Sequence, residues 1–106
     1  MRLRFFFDAG SGTCFWTADQ EAHSAFGDYA VATEALALPS ALCAWGEALL
    51  ARFDASIDWA DPAAASSWSQ ADHERFASDA RAFLAEVVAR RPDIEFVDCL
   101  RTAAAT

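Results

Sequence analysis

The chain has 106 residues, 55% of them hydrophobic, and sets eight basic side chains against sixteen acidic ones for a formal net charge of −8. That length fits one domain with a modest core, and so high an apolar content excludes a disordered chain. All the basic residues are arginines and none falls between Arg4 and Arg52, a stretch that holds Asp8, Asp19, Glu21, Asp28, Glu34 and Glu47. Such a surface repels phosphate backbones, which argues against direct nucleic-acid binding and for a basic protein partner; solubility is the plainer use of the same acidity.

The three phenylalanines at 5–7 make too short an apolar run for a secretory signal. The longest apolar stretch, 35–45, contains Pro39 and is soon followed by Glu47, so no membrane span is expected. Cys14, Cys43 and Cys99 are odd in number and widely spaced, which reads as reduced thiols of a cytoplasmic protein.

Residues 2–8 alternate in part, with Leu3, Phe5 and Phe7 on one side and Arg2, Arg4 and Phe6 on the other, as in a strand. Gly10-Ser11-Gly12 supplies a turn, and 13–16 reads as the second strand of a hairpin. Thr17 followed by Gln20 resembles a capping box for a short helix over 18–26 that Gly27 ends. Residues 28–38 are ambiguous: Tyr29, Val31 and Thr33 alternate, but the alanines between them favour nothing. After Pro39-Ser40, the spacing of Leu42, Trp45, Leu49, Phe53 and Ile57 predicts a long amphipathic helix. Residues 59–67 read as a loop. Ser69 caps a second long helix whose buried face is Phe76, Ala80, Phe83, Val87 and Val88, and Pro92 stops it. Residues 94–97 form a strand able to lie parallel to the first after the helical crossover, and 101–106 form a frayed tail. The expected fold is a single α+β (α/β) domain over 1–106, with a sheet of about three strands covered on one face by two long helices and one short one.

The opening Asp8-Ala9-Gly10-Ser11 is similar to the Asp-Thr-Gly-Ser signature of aspartic proteases. Alanine replaces the threonine that ties two such loops together, and two long helices disagree with a mostly β enzyme. A P-loop needs a lysine and the chain has none; a dinucleotide loop needs a third glycine opening a helix. Cys14 with His23 or His73 lacks a third group, and the three cysteines and two histidines show no zinc spacing. The glycine pair therefore reads as a hairpin turn, with no catalytic residue, cofactor or metal expected. An enzyme using Asp8 or Cys14 is the less favoured alternative.

The start Arg2-Leu3-Arg4-Phe5-Phe6-Phe7-Asp8 with Gly10-Ser11-Gly12-Thr13-Cys14-Phe15-Trp16 resembles small bacterial immunity proteins of contact-dependent growth inhibition and related polymorphic toxin systems. The resemblance continues through Arg52-Phe53-Asp54, Asp58-Trp59, Pro62, Ser67-Trp68-Ser69 and Asp93-Ile94-Glu95-Phe96-Val97. It implies a non-enzymatic protein that binds one cognate toxin domain in the cytoplasm, as a monomer or a 1:1 heterodimer, and occludes its active site. Many such toxins are nucleases with basic grooves, which the acidic composition would complement. An adaptor or regulatory subunit of a larger complex is the alternative.

The expected toxin-binding segment is 54–68, with Asp54, Asp58, Trp59, Asp61 and Trp68 as candidates, because aromatic anchors beside acidic residues often dominate binding. Trp59 and Trp68 also fit as plugs at the ends of the core, to which Trp16 and Trp45 are assigned. Asp19, Glu21 and Asp28 form a second acidic candidate patch.

Overall fold

The computed structural model describes residues 1–61 and 67–100. Along the chain come β1 (Arg2–Phe5), β2 (Phe15–Thr17), α1 (Gln20–Phe26), β3 (Ala30–Val31), a short 3-10 turn (Thr33–Leu36), α2 (Ser40–Ala55), α3 (Gln70–Arg90) and β4 (Glu95–Asp98). The strands form one sheet in the order β3-β2-β1-β4, with β1 antiparallel to β2 and parallel to β4, and β2 antiparallel to β3. This is the expected α+β class, with four strands in place of about three. Part of the expected 59–67 loop and the expected tail at 101–106 lie outside the described residues.

Alternation builds the centre of the sheet. Leu3 and Phe5 are buried while Arg2 and Arg4 are exposed. Leu3 pairs with Thr17 and Phe96, and Phe5 with Phe15 and Asp98, so aromatic neighbours gather on the face that the helices cover. Phe83 of α3 enters this layer, its ring centroid 6.2 Å from Phe5, 6.1 Å from Phe15 and 5.5 Å from Trp45 of α2. Gly46 makes room for it: a Cβ there would lie 3.0 Å from the Phe83 ring. Trp16 is buried and Trp45 packs against the core, as expected of both.

Several expected boundaries move. β1 ends at Phe5, although the Phe6 amide still donates to the Cys14 carbonyl at 3.1 Å. Thr17 is not a helix cap but the last residue of β2; the N-cap of α1 is Asp19, whose carboxylate accepts from the Ala22 amide at 2.8 Å. Gly27 closes α1 with φ 77°, in the left-handed region that favours glycine. α2 stops at Ala55, leaving Ile57 beyond the helix. Val88 is 42% exposed, because a residue next to Val87 points about 100° away from it around the helix. β4 is shifted by one residue from 94–97.

The N-terminus of α3 carries a full capping box. Ser69 Oγ accepts from the Asp72 amide at 3.1 Å, and Asp72 returns a carboxylate oxygen to the Ser69 amide at 3.0 Å. The Ser69 amide, then the Ser69 side chain, hold the Asp72 carboxyl below its ordinary value of 3.8. A carboxyl whose folded pKa is depressed stabilises the fold above the unfolded pKa, and that stability is lost as pH falls through the folded one. Asp72→Asn is therefore expected to be less stable than the parent at neutral pH, and the gap should close in strong acid. Urea unfolding at a series of pH values measures it; a gap independent of pH would contradict the assignment.

Candidate interaction surface

The turn between β1 and β2 is closed from inside. Gly10 and Gly12 take φ of 81° and 77°, the Ser11 amide donates to the Asp8 carbonyl at 3.1 Å, and the Ser11 hydroxyl donates to the same carbonyl at 2.7 Å. Positive φ at both positions is the reason for two glycines here. Gly10 has a second task. Its amide donates to Asp54 Oδ1 at 3.0 Å, tying the turn to the last turn of α2.

That tie seats Trp59. Its Cη2 lies 3.3 Å from where a Gly10 Cβ would stand, so any side chain at position 10 would press on the ring. Its Nε1–H donates to the Asp54 carbonyl at 3.1 Å, which satisfies the indole's polar atom within the molecule. The ring nevertheless remains 56% exposed. Asp58 accepts from the Ala60 amide at 3.0 Å, and the Asp61 amide donates back to the Asp58 carbonyl at 3.0 Å, so a compact turn follows. Asp54, Asp58, Trp59 and Asp61 thus come together beside the glycine turn, with Asp58 and Asp61 exposed.

The other candidates lie elsewhere. Trp68 is half-buried, its ring centroid 5.0 Å from Phe76, 5.3 Å from His73 and 6.3 Å from Phe53, which is the core-plug arrangement. Asp19 and Glu21 sit at the opposite end of β1, where the Met1 ammonium approaches them at 3.9 and 3.1 Å. Asp19 is also occupied as the α1 cap, and the Ala22 amide is the main cause of its lowered pKa. The Asp28 carboxylate accepts from the adjacent Tyr29 amide at 2.6 Å. The second acidic patch therefore does not join the first. Gly10 is the participant that sequence reasoning missed; it reads as a turn residue, and its role as a seat depends on a chain segment remote from it.

The residues considered for catalysis are differently placed. Cys14 is fully buried, and burial pushes its thiol up to about 12, so it carries no thiolate at neutral pH. In the native protein a thiol reagent should label the half-exposed Cys43 and Cys99 and spare Cys14 until urea unfolds the chain. Peptide mapping by mass spectrometry checks this, and labelling of Cys14 at the rate of the others would contradict its burial. Asp8 is exposed, and among the described residues its carboxylate has no hydrogen-bonding or ionic partner. No group of three or more His, Cys, Asp or Glu side chains could hold a metal ion, and no helix is long and apolar enough to cross a membrane, among the described residues.

No protein-family model matches the chain, and no curated protein or solved structure matches it significantly.

Proposed function

We propose that this protein is an immunity-type inhibitor that docks its tryptophan-tipped acidic end onto a basic surface of a cognate toxin domain and covers that surface. The observation that carries the reading is Trp59: a large ring, 56% exposed, seated on Gly10, hydrogen-bonded to the Asp54 carbonyl and flanked in the chain by Asp54, Asp58 and Asp61. An exposed indole whose position is already fixed loses little conformational freedom on binding, so most of the gain from burying it reaches the affinity. Carboxylates around such an anchor match arginines and lysines of a nucleic-acid-binding groove, and a net charge of −8 accelerates encounter with a basic partner. A nuclease toxin bound 1:1 in the cytoplasm, with no cofactor, is the partner that suits this chemistry and the family resemblance.

The direct test co-expresses the chain with the C-terminal domain of any large protein found to be encoded beside it, then scores pull-down and growth rescue. The double change Asp58→Asn with Asp61→Asn should slow association about tenfold at low ionic strength, and the difference should shrink at high salt. Equal association rates at low salt would remove this face from the interface. A chain that neither binds nor rescues would end the reading itself.

A further inference from the structure

Where β1 and the segments that follow the parallel strands β1 and β4 meet α2 and α3 lies a partly open cavity of about 430 Å3. This lies in the lower half of the roughly 300–1,000 Å3 typical of ligand pockets, a size for an amino acid and small for a dinucleotide. Its walls are aromatic. Phe7 packs edge-on against Phe76 with centroids 4.9 Å apart, and Phe53 lies 5.6 Å from Phe7 and 5.7 Å from Phe76. Phe6, also in the lining, is held by a stack on Trp16 at 4.8 Å with the rings 8° from parallel.

Beside His73 and Cys99, two charged side chains join the lining, Arg4 and Asp8. Arg2, Arg52, Arg75, Arg81 and Arg91 each pair with a carboxylate, as an excess of acid would dictate. Arg4, like the exposed Arg90, has no such partner among the described residues, and neither has Asp8, nor do Arg4 and Asp8 pair with each other. Opposite charges left unpaired beside one phenylalanine-lined cavity specify a ligand more narrowly than the cavity alone. An apolar monocarboxylate would meet Arg4 but also the repulsion of Asp8 and of a chain carrying a net charge of −8. An apolar amine would meet Asp8 but also Arg4. A net-neutral zwitterion satisfies both and is not repelled by the overall field.

We infer that this cavity binds a free apolar α-amino acid, with the side chain among Phe6, Phe7, Phe53 and Phe76, the carboxylate on Arg4 and the ammonium toward Asp8. The inference does not depend on toxin binding. Its test is a titration of the purified full chain with L-phenylalanine, L-leucine and L-tryptophan, followed by amide NMR shifts and calorimetry. Phenylacetate, phenethylamine and glycine serve as ligands that each lack one part. At least one of the three amino acids should bind saturably and shift the amides of residues 6–8 and 99–100. Arg4→Gln and Asp8→Asn should each weaken that binding about tenfold or more while leaving the melting temperature unchanged, since neither side chain has a described partner to lose. Absence of saturable binding by all three amino acids overturns the inference. So does wild-type affinity in both variants, or phenylacetate binding as tightly as L-phenylalanine.

Discussion

Replacing Phe83 with alanine is expected to cost about 3–5 kcal/mol of folding stability. The ring is wholly buried and is the point at which α3 meets the sheet, through Phe5 and Phe15, and α2, through Trp45 and Gly46, whose missing side chain leaves the space that the ring occupies. Removing it exposes no polar group and opens a void bounded by aromatic rings and helix backbone. Neither collapses readily, so the cavity contribution adds to the lost transfer energy. A domain of this kind has only about 5–15 kcal/mol in total, so the variant should melt at least about 12 °C below the parent. Its urea midpoint should fall with little change in slope, because the surface exposed on unfolding is nearly the same. A loss below about 1 kcal/mol would show that the helices do not close on the sheet through this ring.

Trp59→Ala should have the opposite profile. Its ring rests on Gly10 and reaches one carbonyl, that of Asp54, so its removal should change stability by less than about 1 kcal/mol. On the proposed function, binding to a toxin partner should weaken by about 2 kcal/mol or more, roughly 30-fold, with most of the change in the dissociation rate. Calorimetric titration, together with growth rescue under limiting expression, measures both sides. The pairing of a nearly unchanged melting curve with failed rescue separates an anchor from a core plug. Full affinity in this variant would falsify the proposed role of the indole.

How far the chain can be read without coordinates depends on how local each feature is. Ser69 with Asp72 three residues on, Gly27 after the short helix, and the long apolar stripes of α2 and α3 all act within one or two turns, and all are legible. The strand β3 is not. It has two residues with a single buried side chain, and it is held by bonds from outside: the Thr17 amide on the Tyr29 carbonyl and the Thr13 hydroxyl on the Val31 carbonyl. Composition pointed to acidic residues around Trp59, and the structure does gather Asp54, Asp58 and Asp61 there. What composition could not show is the support beneath the indole, which a glycine far back in the chain provides. Asp19 and Glu21, from the second candidate patch, are engaged instead by the Met1 ammonium.

The parallel pairing of β1 with β4 also orders events in time. On a ribosome, Arg2–Phe5 and its antiparallel partner Phe15–Thr17 are both made early, but the second edge of β1 waits until Glu95–Asp98 emerges. Throughout that interval the nascent chain carries a bare strand edge beside several phenylalanines, the kind of template on which unfinished polypeptides stick to one another. The longest loop is closed last, so translation that stalls anywhere upstream of Glu95 leaves a chain that cannot complete its sheet.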